Sequence, residues 1–454
     1  MEENILRIAE KTAEKLSVRY FEIRISRVTT TSVLVQNGQI DEISNNVETG
    51  IGVRAFKNGW GFSSANDLSR AEKAIKTAMK MAGVSRGHEK VYLGDPIRDS
   101  VSLLGEKRVD EVDVSEKLEI TKLANELLKG EKVKNRTTGY GDVIVETIYL
   151  NSLGSEIRTA TSRVRLRLSS IAFEGGKTGE YWKSFGGTGG WELIERVELE
   201  KWAKFVSQKS RDLLKAKAPP SGKFDVVMDP ELTGVFIHEA VGHAAEADAV
   251  KNGESIFAGK LGERVSVEEL NVVDDPTLPG KFGSYAYDDE GMPGRRVEII
   301  KNGVLNDYMN DRETSALLGL VPNGHGRAQS YAHQPLVRMS NTYVEPGNWD
   351  PEDIFEEVKS GLYMIGDKGG EVDVATGTFT FGAKEGYIIE NGELKTHLRD
   401  VSLSGNLLEV LKNIRAIGRD VKIQYPGYCG KGQWVPVDDG GPHVLTRALV
   451  GGMR

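Results

Sequence analysis

A pair of histidines five residues apart on a predicted helix is the feature that most restricts how this chain folds locally. The motif is His238-Glu-Ala-Val-Gly-His243. A strand-like run ends at Asp229, a good helix N-cap, and Pro230 follows at the first helical position. Apolar residues then recur at helical spacing at Leu232, Val235, Phe236 and Ala240. The pattern predicts that His238 lies in the middle of a helix.

The five-residue spacing conflicts with a regular helix. Residues four apart on an α-helix are separated by only about 40° around the axis, because one turn takes about 3.6 residues. Five residues rotate the second ring by roughly 140°, away from the first. A π-type turn inserts one residue and restores a common face, and Gly242 lowers the resistance to that distortion. We therefore predict a distorted or ending helix between His238 and His243.

The motif also carries the residue types that zinc-dependent activation of water requires. Two imidazoles are zinc ligands, and a carboxylate beside them is the general base that deprotonates the attacking water. Glu239 holds that place, because it cannot share a face with its neighbour His238. The alternative is two unrelated helical histidines. The motif makes hydrolysis of a peptide bond the leading hypothesis.

A catalytic zinc takes three protein ligands and keeps a fourth position open, and the sequence offers two candidates for the third. Glu246 lies three residues after His243, one helical turn further on. Cys429 is the single cysteine of the chain and lies in a glycine-rich segment, predicted to be a turn. A lone cysteine is more often a small buried apolar residue than a ligand. The spacing alone leaves both candidates open.

Several stretches together resemble one known family. They are His238-Glu-Ala-Val-Gly-His243-Ala-Ala-Glu-Ala-Asp248, Arg327-Ala-Gln-Ser-Tyr-Ala-His-Gln-Pro335, Cys429-Gly-Lys-Gly-Gln433 and Gly50-Ile-Gly-Val-Arg54. They are similar to the TldD type of subunit in the TldD/TldE (PmbA) family of zinc metalloproteases, and the likeness spans nearly the whole chain. The resemblance implies that His238, His243 and Cys429 bind zinc and that Glu239 is catalytic. Glu246 then becomes a candidate for orienting a ligand histidine.

The resemblance also implies partners. In this family an unfolded peptide lies extended in a cavity enclosed by a dimer and pairs with the edge of a strand. The second subunit is another copy of the chain or a TldE/PmbA-like paralogue that lacks the metal motif. Because the motif is intact here, the resemblance places this chain on the catalytic side.

Four residues further along are candidates for stabilising an oxyanion or contacting substrate. They are His325, Arg327, Tyr331 and His333. For each of them a structural role is the simpler explanation.

Two other functions of the protein stay open. One is a non-catalytic scaffold subunit held together by a closed zinc site with Glu246 as fourth ligand, and the other is a metal-dependent hydrolase of another amide or ester.

The fold class predicted is α+β in two domains. A long helical pattern meets two prolines in Lys215-Ala-Lys-Ala-Pro219-Pro220-Ser-Gly222, which ends the helix. We place the boundary there. Residues 1–218 are predicted to form a mixed α/β domain of helices packed on a sheet, and residues 219–454 a β-rich metallopeptidase domain that carries the motif helix.

Local patterns support this organisation. Hairpin turns are predicted at Asn37-Gly38, Asn58-Gly59, Asn302-Gly303 and Asn391-Gly392, since these dipeptides supply positive φ angles. Helices are predicted up to Leu16, around Ala71 to Met79 and around Ile120 to Leu128, and the apolar residues of the last one, Leu123 among them, are predicted to pack on the sheet. The alternating run Arg163-Val-Arg-Leu-Arg-Leu168 predicts a half-exposed strand whose arginines face solvent or a partner, a solvated face being the simpler interpretation.

Composition excludes several classes of function. The formal net charge of -8, with acids interleaved among the bases, argues against a nucleic-acid partner. No run approaches the roughly 20 apolar residues that cross a bilayer, so no membrane association is predicted. The N-terminus lacks the basic and apolar regions of a signal peptide, and one cysteine suits a reducing compartment. We therefore predict a cytoplasmic protein.

Overall fold

The first sheet of the computed structural model, which describes residues 2–87 and 90–453, is built from the N-terminal part of the chain. Its strands are β1 (Tyr20–Gln36), β2 (Gln39–Phe56), β3 (Trp60–Ala65), β4 (Arg98–Leu103), β5 (Val133–Asn151), β6 (Glu156–Glu174) and β7 (Lys177–Thr188). The order is β3-β2-β1-β5-β6, and both β4 and β7 pair with β6. Only the β4 to β6 pairing is parallel among the pairings of this sheet.

Helices cover one face of this sheet. They are α1 (Glu2–Leu16), α2 (Ala71–Val84), α3 (Val114–Leu127), α4 (Glu192–Glu195) and α5 (Leu199–Asp212). Alternate strand residues such as Ile23 and Val53 pack against α1 and α2, and Val164 and Leu166 pack against α3 and α5. The predicted arrangement of helices on a sheet is confirmed. One detail is wrong, because Leu123 was expected on the buried face of α3 and is 54% exposed.

The opposite face of the first sheet is polar and contacts the C-terminal part of the chain. Arg24 on β1 forms an ion pair with Asp289 at 2.9 Å. Arg163 on β6 is buried and donates to the carbonyls of Phe282 and Ser284, each at 2.8 Å. The interpretation of the arginine run as a solvated face is therefore wrong at Arg163. An alternating pattern identifies a polar face but cannot tell solvent from the backbone carbonyls of a neighbouring segment.

The C-terminal part of the chain is β-rich, as predicted. Its strands are β8 (Gly222–Met228), β9 (Val272–Asp274), β10 (Val297–Lys301), β11 (Val304–Leu305), β12 (Gly326–Arg327), β13 (Leu336–Val337), β14 (Asn341–Val344), β15 (Ser360–Asp373), β16 (Thr378–Glu390), β17 (Glu393–Leu398), β18 (Val401–Asn406), β19 (Ala416–Ile417), β20 (Lys422–Ile423), β21 (Gly427–Gly430), β22 (Trp434–Gly441) and β23 (Val444–Gly452). Its helices are α6 (Pro230–Ile237), α7 (Ala247–Asn252), α8 (Arg312–Leu318), α9 (Pro351–Glu356) and α10 (Leu407–Lys412).

These strands form two larger sheets. One has the order β11-β10-β9-β14-β22-β20, and β21 pairs with β22 beside it. The other has the order β15-β8-β23-β18-β16-β17, and it closes into a ring because β15 also pairs with β16. Helix α6 leads out of β8 and packs against β22 and β15. It therefore lies between the two sheets and positions the histidine motif at its end.

Three of the four predicted hairpin turns have the expected backbone. Asn37, Asn302, Asn391 and the glycine after each have positive φ. Asn58-Gly59 also joins two strands, but neither residue has a left-handed φ. Here the turn packs on the end of α2, where the N–H of Asn58 donates to the carbonyl of Ala82 at 3.1 Å. A Cβ on Gly59 would lie 3.1 Å from the Cβ of Ser85, so the glycine permits this close contact.

The chain passes from α5 to β8 across the predicted boundary. Helix α5 ends at Asp212, before Pro219 and Pro220, and β8 begins at Gly222. The division into residues 1–218 and 219–454 stays a prediction. Over the described part of the chain, no helix combines the length and the apolar character needed to span a bilayer.

The close approach of α6 to β22 makes Gly234 sensitive to substitution. A Cβ at this position would lie 2.5 Å from the amide nitrogen of Gly440, a backbone atom that cannot turn aside. We predict that Gly234→Ala destabilises the protein by about 1–3 kcal/mol, the usual effect of overpacking. Thermal unfolding followed by circular dichroism checks this.

The matched control is Gly83→Ala in helix α2. The nearest atom to a Cβ there is Cδ of Lys57 at 4.0 Å, and alanine favours a helix over glycine. Its unfolding temperature should stay equal to that of the wild type or rise. Equal unfolding temperatures for the two variants would contradict the close packing of α6 on β22.

Candidate metal centre

The chain segment between the two motif histidines is a π-helical turn. Asp229 caps α6 by accepting a hydrogen bond from the N–H of Leu232 at 2.9 Å, and Pro230 occupies the first turn. The helix changes to a π-turn over His238–Gly242, where the N–H of His243 donates to the carbonyl of His238. The predicted distortion is confirmed, because the inserted residue brings both rings to one side.

Gly242 packs closely on the core, while its backbone angles of φ -58° and ψ -57° are those of a right-handed helix. A Cβ on this residue would lie 2.0 Å from Sδ of Met339, which is fully buried beneath it. Because Gly242 has no side chain, the π-turn can pack directly against Met339. The sequence signal for this glycine was its position directly before His243.

The turn places three potential ligand atoms together. One side-chain donor atom from each of His238, His243 and Cys429 lies within 4.8 Å of the other two. Sγ of Cys429 is 3.4 Å from Nε2 of His243. The two imidazole rings are nearly perpendicular, with centroids 5.4 Å apart. Two nitrogens and one sulfur form a donor set that suits zinc better than magnesium or calcium.

A carboxylate fixes the orientation of each imidazole. Nδ1 of His238 is 2.7 Å from Oδ1 of Asp439, and Nδ1 of His243 is 2.9 Å from Oε2 of Glu246. Both rings therefore direct Nε2 toward Cys429. Carboxylates that bind the second nitrogen of a metal-binding histidine in this way fix its tautomer and raise its basicity. The donor set and its supporting carboxylates together fit a zinc ion.

Sequence reasoning missed Asp439. It lies on β22, 201 residues after His238, and nothing in its spacing connects it with the motif helix. The only available signal was a pair of acids directly before the Gly440-Gly-Pro442 segment, in a strand otherwise rich in apolar residues.

Glu246 lies beside His243 rather than at the centre of the cluster. Its carboxylate also accepts a hydrogen bond from Nζ of Lys431 at 3.0 Å and lies 3.8 Å from Nε of Arg338. Burial raises the pKa of Glu246, but His243 and Lys431 outweigh it and lower that pKa to about 2. The geometry therefore matches the orienting role considered for Glu246 and not the role of third ligand.

Cys429 lies on a strand and not in a turn. It sits on β21, in a hairpin with β22. The guanidinium of the fully buried Arg338 donates to the carbonyl of Cys429 at 2.7 Å and to that of Gln433 at 2.8 Å. Arg338 therefore fixes β21 and the end of the turn before β22, which sets the position of the thiol relative to the histidines.

The cluster forms a thiolate–imidazolium group when it holds no metal. Burial raises the pKa of Cys429, but His238 and His243 reverse this and lower it to about 5. Burial lowers the pKa of His243, but Glu246 and Cys429 raise it to about 10. The pKa of His238 is also raised, mainly by Asp439 acting against burial. The site is thus suited to hold a thiolate, the form of cysteine that binds metals.

Glu239 borders a cavity beside the cluster. Its Oε2 lies 3.8 Å from Nε2 of His243, and its side chain is 29% exposed. The cavity has a volume of about 840 Å³, and its wall also includes His238, His243 and Cys429. Glu239 is therefore the carboxylate of the motif that a molecule entering this cavity can reach.

The four candidates for oxyanion or substrate contact lie elsewhere, since none of His325, Arg327, Tyr331 and His333 is part of the cavity wall. His325 is fully buried, with Nε2 2.9 Å from Asp274 and Nδ1 3.0 Å from Asn323. The guanidinium of Arg327 donates to the carbonyl of Pro436 at 2.9 Å. His325 and Arg327 thus have structural partners.

Tyr331 and His333 belong to a loop that packs on the first sheet. A Cβ on Gly50 would lie 2.1 Å from the ring of Tyr331, and Nδ1 of His333 is 2.9 Å from Oγ of Ser330. All four residues thus lie outside the cavity wall beside the candidate metal ligands, and a contact of any of them with substrate stays a prediction.

Comparison with known families decides the classification. The family model described as the PmbA/TldA metallopeptidase C-terminal domain matches residues 221–452. The chain belongs to the PmbA/TldD metallopeptidase family. Models of the PmbA/TldA metallopeptidase domain 1 and central domain match residues 21–82 and 107–214. Strands from both of those stretches join in the first sheet, since β1 pairs with β5.

Individual relatives within the PmbA/TldD family agree. A protein named metalloprotease from Methanothermobacter thermautotrophicus is 43% identical, covering 96% of this chain and 96% of its own. A zinc metalloprotease TldD homolog from Saccharolobus solfataricus is 32% identical, covering 97% of this chain and 98% of its own. The structure of TldE from Thermococcus kodakarensis has the same fold, with a TM-score of 0.77 at 20% identity, covering 99% of this chain and 100% of its own.

The lowered pKa of Cys429 predicts how its thiol reacts in the metal-free protein. Iodoacetamide attacks the thiolate, which predominates above the pKa. The rate of alkylation should therefore stay high from neutral pH down to about pH 5, the pKa of Cys429, and fall below it. Alkylation measured by mass spectrometry across this range checks the prediction.

Asp439→Asn is the informative comparison. Asp439 favours the protonated form of His238, and protonated His238 lowers the pKa of Cys429. Loss of this carboxylate should therefore move the midpoint of the alkylation profile to higher pH. A wild-type midpoint near that of an ordinary thiol, at about 8.5, would contradict the described cluster.

Proposed function

We propose that this chain is a zinc-dependent peptidase that hydrolyses peptide bonds of unfolded or flexible peptides. The single observation that carries the proposal is the convergence of His238, His243 and Cys429 beside Glu239 at the wall of one cavity. The names of the relatives support the class of activity.

The proposed ligands are His238, His243 and Cys429. Three protein ligands leave one position open, as in catalytic zinc sites. A zinc ion held there supplies Lewis acidity, which lowers the pKa of a water molecule and polarises a carbonyl group. Asp439 and Glu246 hold the two imidazoles, and Arg338 holds the hairpin of Cys429.

Glu239 is the proposed general base. It takes a proton from the attacking water and later gives that proton to the leaving amine, as carboxylates beside such sites do. Its reach into the cavity and its position 3.8 Å from Nε2 of His243 support this role. No other residue of the motif combines a carboxylate with exposure to the cavity.

A closed structural zinc site is the first alternative, with Glu246 as fourth ligand. Two observations oppose it. One oxygen of Glu246 is 2.9 Å from Nδ1 of His243, on the side of that ring opposite Nε2. The carboxylate is also paired with Lys431 at 3.0 Å. Hydrolysis of another amide or an ester uses the same residues, and only the likeness to peptidases favours the peptide bond.

An extended peptide is the proposed form of the substrate. Strand β21 contributes residues 427–430 to the cavity wall and pairs with β22 along one edge only among the described strands. An extended segment can add to such an edge through main-chain hydrogen bonds, which gives binding that tolerates many sequences. We infer that the enclosing partner is a second copy or a TldE-like paralogue, and that the protein acts in the cytoplasm.

The first test is Glu239→Gln. The variant should keep its zinc, because Glu239 is not a proposed ligand, while peptide hydrolysis falls by about 10²- to 10⁴-fold, the usual contribution of a general base. Zinc content and turnover of an unstructured peptide measure the two effects. Glu254→Gln replaces an exposed acid outside the cavity wall, serves as control and should match the wild type.

Turnover by Glu239→Gln at the wild-type rate would remove this residue from the base role. Loss of zinc in the same variant would instead make it a ligand.

The second test compares one protein substrate in its folded and unfolded forms. The unfolded form should be cleaved and the folded form spared, because only an extended segment can reach β21 through the cavity. Product peptides measured by mass spectrometry over time decide this. Cleavage of both forms at one rate would overturn the proposed binding mode.

A further inference from the structure

Two arginines line the cavity that borders the candidate metal centre. Arg165 and Arg167 lie on β6, on the face of the first sheet opposite its helices, and both belong to the wall of the 840 Å³ cavity. Glu239 and Cys429 line the same cavity from the C-terminal part of the chain. A molecule held for reaction at Glu239 therefore occupies a cavity whose wall includes these two guanidiniums.

Both arginines lack the acidic partner that the other cations of this wall have. Within residues 2–87 and 90–453, neither guanidinium forms an ion pair with a carboxylate. The remaining cations of the wall are each paired: Lys183 and Lys384 with Glu231, Lys368 with Asp400, and Lys431 with Glu246 and Asp248. Arg165 and Arg167 are thus the arginine or lysine side chains of the wall that have no carboxylate of the described residues at ion-pair distance, while Lys183 and Lys384 share the carboxylate of Glu231.

The position of Arg165 connects it with the cluster. Its guanidinium carbon lies 6.0 Å from the centroid of the ring of Tyr428, the residue directly before Cys429. One terminal nitrogen donates to Oγ of Ser184 at 3.1 Å, while Nε is buried and makes no hydrogen bond in the described structure. Arg167 stacks near Trp182, at 5.4 Å from the ring centroid. These contacts hold the guanidiniums without neutralising them.

Small residues leave the space beside both arginines open. Gly141 and Gly186 pair with Arg165 on either side, and Gly139 and Ser184 pair with Arg167. A Cβ on Gly139 would meet no atom closer than 3.6 Å, and one on Gly141 none closer than 3.9 Å. Packing therefore does not require glycine at these two positions. Glycine inside a strand weakens it and often marks a place where a ligand approaches closely.

We propose that Arg165 and Arg167 bind a carboxylate of the peptide substrate and so make this enzyme selective for anionic peptides. The inference deepens the proposed peptidase function and rests on it. The carboxylate belongs either to the C-terminus of the peptide or to an acidic side chain, and both present the same planar group to a guanidinium. Arginine suits this task because its donors form a fork that matches a carboxylate.

The rest of the cavity wall is consistent with a bound anion on the β6 side. The acidic residues Asp367 and Glu371 lie on β15, a strand of the other part of the chain. The N–H of Gly369 donates to Asp367 at 2.7 Å. Strand β15 thus contributes two carboxylates and one lysine, Lys368, to the wall, while β6 contributes two arginines and no acid, so the anionic group of an extended peptide is directed toward β6.

The experiment measures peptide binding separately from hydrolysis. Three fluorescent peptides of one unstructured sequence are compared: one with a free C-terminus, one with a C-terminal amide, and one amidated peptide with an internal Asp in place of Asn. Fluorescence anisotropy gives the dissociation constants for Glu239→Gln, which prevents turnover, alone and combined with Arg165→Gln and Arg167→Gln. Combination with Arg27→Gln, an exposed arginine of the same sheet outside this cavity, is the control.

The proposal predicts that a carboxylate peptide binds at least about 10-fold more tightly than the neutral amide, as a charged hydrogen bond allows. The double arginine variant should lose that preference while binding the neutral peptide as before, and Arg27→Gln should change nothing. Preference for the free C-terminus identifies the terminal carboxylate, and preference for the Asp peptide identifies a side chain.

Equal binding of the three peptides, or a preference that survives in the double arginine variant, would overturn the proposal. Absence of binding to any peptide at millimolar concentration would overturn it as well. Because binding is measured without turnover, failure of the peptidase hypothesis is recognised separately, by lack of hydrolysis in the protein that retains Glu239. Thermal unfolding of each variant confirms that it is folded.

Discussion

One extra residue in the helical turn between His238 and His243 determines whether the three candidate metal ligands can meet at one point. On a regular helix the second ring would point away from the first by roughly 140°. The π-turn over His238–Gly242 brings both rings to one side, and the lack of a side chain at Gly242 lets it pack on Met339. Cys429 then approaches to 3.4 Å of His243.

The surrounding charges act mainly to hold this arrangement. Asp439 and Glu246 each hold one imidazole, and Arg338 holds the hairpin that carries Cys429. These groups are buried, and a buried charge is tolerated only when it is paired and hydrogen-bonded. Removal of one partner would leave an unpaired charge in the core, so the cluster and its supports depend on one another.

Paired and hydrogen-bonded charges also join the N-terminal and C-terminal parts of the chain. Helices cover one face of the sheet formed by residues 20–188. The other face of this sheet is polar and contacts the C-terminal part of the chain. Arg24 and Arg163 bind groups of the C-terminal part. Arg165 and Arg167 lie on the same face, line the cavity and form no ion pair with a carboxylate in the part of the chain that the structure describes. The cavity wall therefore contains both the candidate metal ligands and two arginines that have no carboxylate at ion-pair distance among the described residues.

The sequence allowed the local features to be predicted better than the long-range ones. The π-turn, the cap at Asp229 and the Asn-Gly hairpins follow from spacing and backbone preference within a few residues. Asp439 was missed because its partner lies 201 residues away. Arg163 was misinterpreted because alternation shows which face is polar and not what covers that face. His325 has the residue type of a catalytic group, and only its complete burial reveals its structural role.

The central claim is that His238, His243 and Cys429 hold one zinc ion. Elemental mass spectrometry of the purified protein, beside Cys429→Ser and Glu246→Gln, tests it most directly. The account predicts about one zinc per chain in the wild type, loss of zinc in Cys429→Ser, and retention at saturating zinc in Glu246→Gln, with affinity weakened about 10- to 100-fold. A zinc content that is unchanged in Cys429→Ser but lost in Glu246→Gln would contradict it. Absence of zinc from well-folded wild-type protein would contradict it as well.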